Sequence, residues 1–433
     1  MDLLRYTMEQ VSYAIVEPSY AFILIMMAIV FYMKNKKSAV MEKMILGKNS
    51  ISAFELTISQ IVMGIIGGVL ASIALTFLGV TFFDFSNIFI IFIISIGLMF
   101  FNPKLVCFSY SGAILGLISS MMYFLSLALE KPGINILKID VASLIALVAV
   151  MHMVEGILVF FDGKRGAIPV FSGRDKKIIG GFAYKRQWIL PMILLLMVQA
   201  TQGLSGQGGV EVPQWWPLVN HRKNVELFLT VTIGALPIFA GLNYSTITFT
   251  KSKEKKPRFS GAIIFGYGAF LILLSALGDI NPIMDVALLL IMPISHEFML
   301  YIDRNSEKQG KVKYFSTEEG VCVLEVAPNS AAKKLGLKVG DLILEVNNVK
   351  VDRDEVVYNA LERTPNSISF KVKRNNGEVK ELFGKNIPAD EKLGFIIVPR
   401  NLPNNVSVIK NKEDSFGDIF NKIKETREKK DKK

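Results

Sequence analysis

Apolar runs of about twenty residues recur through residues 1–303 of this chain, each closed by a polar or basic stretch. A helix of that length matches the hydrocarbon thickness of a bilayer. In lipid every backbone N–H and C=O must find a partner inside the protein, so the choice of spanning structures is small. The pattern predicts an α-helical polytopic membrane bundle over residues 1–303. Composition agrees: 51% of the 433 residues are apolar, with 30 Phe and 18 Met, and mean hydropathy is +0.40.

Nine spans are expected, at 11–33, 58–80, 88–101, 105–129, 141–161, 188–204, 225–249, 261–277 and 284–301. Eight or ten remain open, because the first, third and sixth are marginal. Lys34, Lys36, Lys37, Lys43 and Lys48 follow the first span, and Lys104 follows the third. Lys164, Arg165, Arg174, Lys176, Lys177, Lys185 and Arg186 follow the fifth, and Lys251, Lys253, Lys255, Lys256 and Arg258 the seventh. All are odd-numbered spans, so these stretches share one side, and the positive-inside bias makes that side cytoplasmic. The amino terminus is then outside, and whatever follows the ninth span is inside. The net charge of +11 is thus expected in membrane-flanking loops facing anionic lipid, and no nucleic-acid motif accompanies it. Trp188, Trp215 and Trp216 are expected at the membrane interface. Gly64-x-x-x-Gly68 and Gly112-x-x-x-Gly116 are helix-packing signals, read as contacts within one bundle ahead of a homo-oligomer face. Cys107 and Cys322 lie in different environments, are not expected to pair, and read as buried apolar residues without metal-ligand neighbours. A cleavable leader is not evident at the amino terminus.

Residues 320–351 have a different texture. Val321 to Val326 alternates as a strand, Ala327-Pro328-Asn329-Ser330 is turn chemistry, and Ser330 can N-cap a short helix stopped at Gly336. Gly340-Asp341 then leads into a second strand, Leu342 to Val346, closed by Asn347-Asn348. In this order the elements, and the string APNSAA…GLKVGDLILEVNN, resemble the PDZ domain. A small α+β PDZ domain is therefore expected at 304–400, with a charged tail at 401–433. In the tail Phe416, Ile419, Phe420 and Ile423 recur at helical spacing, fitting a short amphipathic helix for a partner, a lipid surface or the PDZ domain itself.

The PDZ resemblance implies peptide binding by strand addition beside one helix, with backbone amides holding a terminal carboxylate. Leu393, Gly394, Phe395 and Ile396 resemble the carboxylate loop and the strand after it, and Asp354, Tyr358 and Leu361 the groove-lining helix positions. This loop stands after the hairpin, a different cyclic order from the usual bacterial one. Gly394 as a plain turn and Phe395 as plain core is the competing reading.

Within the spans, His152 and Glu155 share a helix face, and His296 and Glu297 lie near the end of the ninth span. Intramembrane ionisable groups are functional candidates by default, with hydrogen bonds between helices as the bland reading. A zinc protease would need His-Glu-x-x-His, but Leu300 stands where the second ligand belongs, and with three histidines a zinc site would need unusual ligands. Phe161-Asp162-Gly163 only faintly resembles the Leu-Asp-Gly of such enzymes. No serine-nucleophile elbow, phosphate loop or cofactor motif is present. No metal, cofactor or catalytic residue is expected.

Many spans, one cytoplasmic PDZ module and a charged tail resemble the MinJ family of bacterial cell-division topological determinants. The resemblance implies a non-enzymatic scaffold at the bacterial cell membrane, enriched at septa or poles, with division-site partners of the DivIVA and MinD type. Two alternatives stay open: a PDZ-regulated intramembrane hydrolase or transporter, and an accessory to a membrane transport or secretion machine.

Overall fold

The computed structural model describes residues 3–46, 51–82, 85–174, 177–199, 215–219, 231–278, 280–362, 367–385 and 393–400. The tail from Asn401, Lys392 and most of residues 200–230 lie outside the described residues.

Helix α1 (Leu3–Val16) ends where Pro18 removes an N–H and restricts Glu17. Helix α2 (Pro18–Leu46) begins there, and the Glu17 carboxylate accepts from Ser19 N and Tyr20 N at 2.9 and 3.1 Å. The first expected span is therefore split. Helix α3 (Ala53–Leu78) starts with Ser52 accepting from Glu55 N and stops at Gly79, in the left-handed region at φ 75°. After the short strand β1 (Thr81–Phe82), helices α4 (Phe85–Phe101), α5 (Phe108–Ala128) and α6 (Val141–Asp162) follow. Helices α7 (Lys255–Ser275) and α8 (Pro282–Lys308) complete the bundle. Among the described residues, six helices are long and apolar enough to cross a membrane: α2, α3, α5, α6, α7 and α8, while Ile88–Phe101 of α4 is shorter. Helix α6 is central, buried almost continuously from Val141 to Val154, whereas α2 presents Phe22, Ile25, Ile29 and Met33 outward. Apolar residues outside and buried Ser72, Ser109, Ser111 and His152 inside are the arrangement lipid favours.

The expectation of nine helical spans is corrected at 188–204 and 225–249. Their described parts lie in two long strands, β3 (Lys177–Gln199) and β4 (Val231–Thr248), paired antiparallel from Phe182↔Thr248 to Gln199↔Val231. A helix through these segments would hold Pro191, or Pro237 with Gly234 and Gly241, at about 3 kcal/mol per Pro and 1 per Gly. A strand loses only a ladder bond at each Pro. Hydropathy missed this because β3 is apolar on both faces. Leu190, Met192 and Leu194 join the central core, while Ile189, Ile193 and Leu195 pack on α1 and α2. Strand β2 (Ile168–Arg174) pairs with the start of β3, and β1 with Leu195 and Leu196.

The interface role expected for the tryptophans is also corrected for two of them. Trp188 is fully buried and donates Nε1–H to Asp162 at 2.8 Å; Trp216 is buried and donates to Thr76 O at 2.6 Å. Buried indole N–H groups need such acceptors. Arg186, expected in a basic loop, is instead 1% exposed and bridges Asp162 at 2.6 Å.

The C-terminal unit is a sheet of order β10-β9-β7-β6-β11, with β8 beside β7. Its strands are β6 (Val321–Val326), β7 (Leu342–Val346), β8 (Val349–Lys350), β9 (Ser367–Lys373), β10 (Val379–Lys385) and β11 (Phe395–Val398). Helices α9 (Ala331–Lys334) and α10 (Asp354–Glu362) complete it. Strand β6 is buried on both faces. Val321 and Val323 enter the domain's own core, and Cys322 and Leu324 enter the bundle's core. Strand β11 divides likewise, Phe395 and Ile397 inward, Ile396 and Val398 toward the bundle. The docking point is Gly180 of β3, where an added Cβ would lie 2.7 and 2.9 Å from Val398 and Leu324. Strand β5 (Tyr314–Phe315) pairs with β3 at the same place, and Lys253 Nζ bonds Glu325 at 2.8 Å.

Candidate functional site

The candidate groove of the C-terminal unit is built from local chemistry. Ser330 accepts from Lys333 N and starts α9, and Asn329 takes the left-handed region at φ 58°. Gly394 sits at φ 71°, with its carbonyl accepting from Ala327 N at 2.8 Å; the Leu393 carbonyl accepts from Ala332 N at 3.0 Å. The Leu393-Gly394 turn is thereby clamped on α9 at the entry to β11. At the other end of β11, Arg400 N donates to Asp354 Oδ2 at 2.7 Å, and the Arg400 guanidinium donates to the carbonyls of Thr317 and Val351. Helix α10 therefore begins beside the end of β11. Strand β11 is the last in its sheet, and beyond its pairing with β6 no strand among the described residues takes its other edge.

Of the expected groove residues, Leu393, Phe395 and Ile396 have buried side chains, so only their backbone faces the edge. Asp354 is engaged by Arg400. Tyr358 is 37% exposed on α10, and burial of its ring with the nearby Asp354 and Glu355 carboxylates raises its hydroxyl pKa. Leu361 lies in α10, with its side chain outside the described residues. On β6, burial pushes the Cys322 thiol up to about 12.

The second polar centre lies inside the bundle. His152 on α6 and His296 on α8 have ring centroids 5.5 Å apart, and both touch Tyr267 of α7. Cys107, at the N-cap of α5, has its Sγ 3.1 Å from His152 Nε2. This corrects the expectation of an isolated apolar cysteine: the turn Asn102-Pro103 brings it to the helix entry, which no sequence period reveals. Pro293 lies inside α8, and the Met292 carbonyl beside it accepts from the Tyr267 hydroxyl at 3.0 Å. Glu155, half-buried, joins His152 and His296 in lining a cavity of about 160 Å³ with Tyr244, Ser260 and Asp303. Glu297 faces outward, bonded by Tyr110 and Arg304. Asp162 was legible only as part of a weak motif. It is a buried hub taking Arg186, Trp188 and Ser59, and so ties β3 and α3 to the end of α6.

The PDZ domain family model matches residues 323–374, a stretch that ends before Leu393. The cell division topological determinant MinJ of Bacillus subtilis (strain 168) is 24% identical over 207 residues, 47% of this chain and 47% of that protein. A probable MinJ of Lacticaseibacillus paracasei is 27% identical over 86 residues, 19% of this chain and 23% of that protein. The serine endoprotease DegS of Haemophilus influenzae is 42% identical over 53 residues, 12% of this chain and 16% of its own. The chain thus matches about half the length, or less, of each of these relatives. It combines a PDZ domain with apolar helices of membrane-spanning length, and it is similar to MinJ.

Proposed function

We propose that this chain is a non-enzymatic scaffold in a bacterial cell membrane that recruits protein partners through its PDZ groove, in placing the division site. One observation carries the reading. The β6–β11 face is committed to the β3–β4 hairpin through Gly180, Leu324 and Val398, while the outer edge of β11, whose end meets the start of α10 at Arg400, has no strand partner among the described residues. An extended peptide adding to that edge meets backbone donors and acceptors, with Tyr358 as the flanking side chain and the Leu393-Gly394 turn at its terminus. Fixing the groove beside the bilayer raises its effective concentration for membrane-bound partners. The likeness to MinJ supports division-site proteins of the DivIVA and MinD type as those partners, and enrichment at septa or poles.

The test is Tyr358→Glu in the full chain. It places a charge in the groove without touching the docking face. Recruitment of division proteins is expected to fall to background while membrane insertion persists. Unchanged partner localisation would refute the reading. Gly394→Trp is a poorer probe, because at φ 71° with Ser330 Cβ 2.7 Å from an added Cβ it strains the domain itself.

A further inference from the structure

We propose that Cys107, His152 and His296 form a binding site for a divalent transition ion, zinc first, that pins α5, α6 and α8 together inside the bundle. One ligand atom from each residue lies within 4.8 Å of the other two. Thiolate and imidazole ligands around a tetrahedral zinc stand about 3.3–3.6 Å apart, given metal–ligand bonds of 2.0–2.3 Å. The 3.1 Å between Cys107 Sγ and His152 Nε2 needs only a small opening to meet that. The chain has three histidines and two cysteines, and the fold brings two of the histidines and one cysteine to this point from three separate helices.

The outer hydrogen bonds set the rings for metal. His152 Nδ1 lies 2.7 Å from the Val148 carbonyl, which can only accept, so Nδ1 carries the proton and Nε2 keeps its lone pair. Tyr110 donates its hydroxyl proton to the Glu297 carboxylate at 2.5 Å. Its oxygen, 3.1 Å from His296 Nδ1, therefore accepts from that nitrogen, and the lone pair of His296 is left on Nε2. The Cys107 thiol, 3.1 Å from His152 Nε2 and 3.4 Å from Ser109 Oγ, has one proton and cannot satisfy both imidazole lone pairs. A metal ion satisfies all three groups at once: the thiol loses its proton to solvent as the S–metal bond forms, and both imidazoles bind neutral. One thiolate leaves one positive charge uncompensated. Glu155 lines the cavity that touches both histidines, and a water would take the fourth position on the ion. The mixed sulfur and imidazole set favours zinc over magnesium or calcium.

The experiment uses the full chain in detergent, stripped with chelator and titrated with cobalt(II), then zinc. One cobalt per chain is expected, with a near-ultraviolet thiolate-to-cobalt charge-transfer band that zinc abolishes. Cys107→Ser loses the band. His152→Ala and His296→Ala weaken binding more than about 100-fold, beyond the 10- to 100-fold typical of losing an outer partner, the range expected for Tyr110→Phe. Cys322→Ser and His221→Ala keep the ion. Absence of the band, or its persistence in Cys107→Ser, overturns the site. Should a ligand variant fail to fold, the Cys322→Ser chain decides: zinc is expected to slow alkylation of Cys107 at least about tenfold, and an unchanged rate overturns the site equally.

Discussion

At the scale of single residues, the buried hub at Asp162 is where one side chain matters most. Its carboxylate accepts from Nε and Nη2 of Arg186 at 2.9 and 2.6 Å, and from the indole of Trp188, in a place from which water is excluded. Removing one partner of such a pair leaves a buried charge unmatched, at a cost of about 3–5 kcal/mol. Asp162→Ala is therefore expected to lower unfolding stability in detergent by about that amount. A thermal or denaturant scan no different from a Lys177→Ala control would show that the hub carries no such energy. Cys322 makes a prediction in pH. Its thiol stays protonated in the folded chain up to about 12, against 9.0 for a free group, because burial disfavours the thiolate. The sign follows from the neutral form being the one the fold accepts. The contribution to stability is flat below pH 9.0 and falls as pH rises from there toward about 12. Iodoacetamide is thus expected to spare Cys322 at pH 8 and label it after unfolding. Ready labelling of the native chain would show that the strand is not sealed against the bundle.

At the scale of elements, the two Gly-x-x-x-Gly pairs show how far a motif reads. Both do mediate close packing inside the bundle, as the small-residue spacing implies. Gly116 receives Leu289 of α8, helix on helix. Gly64 and Gly68 instead admit the backbone of β3: an added Cβ would stand 2.1 Å from Ile189 O and 2.0 Å from Pro191 O. The motif announces a flat surface and is silent on what lies against it. Gly68→Val is accordingly expected to lift the β3–β4 hairpin off α3 and to expose its edge, read as faster backbone hydrogen exchange across 187–195. Protection equal to the parent chain would mean that the hairpin is held elsewhere. The close glycines Gly156, Gly261 and Gly268 that join α6 to α7 have no comparable spacing, and only the packed structure reveals them.

At the scale of the whole molecule, exchanging two expected spans for two strands leaves parity untouched, because an antiparallel hairpin returns to the side it left. Counting α4 with the six longer helices as spans, the expectation that Lys34, Lys104, Lys164, Lys253 and the PDZ domain share one side is unchanged. We propose that this side is cytoplasmic, as the charge bias favours. Single cysteines at positions 104, 164 and 350, in a chain free of its own two, are expected to resist a membrane-impermeant maleimide in intact cells and to react after lysis, with position 131 reacting in both. Labelling of position 350 in intact cells would reverse the topology.

What the sequence determines by itself is whatever depends on local composition and short-range period. The apolar runs establish a membrane domain, the basic stretches set its orientation bias, and the turn residues Ser330, Gly336, Gly340 and Asn347 write the PDZ elements in order. These signals are carried within a few residues, so one chain suffices to read them. What only the tertiary structure decides is which distant segments meet. The 188–199 part of β3 reads as a span because an apolar run hidden on both faces has no detectable period, and β4 reads as one because its apolar composition outweighs its Pro and Gly signals. The hub at Asp162, the seat of Leu324 and Val398 on Gly180, and the meeting of Cys107, His152 and His296 are all contacts between helices and strands far apart in the chain. Their partners are chosen by the packing of the whole bundle, and nothing in the local sequence of any one of them records that choice.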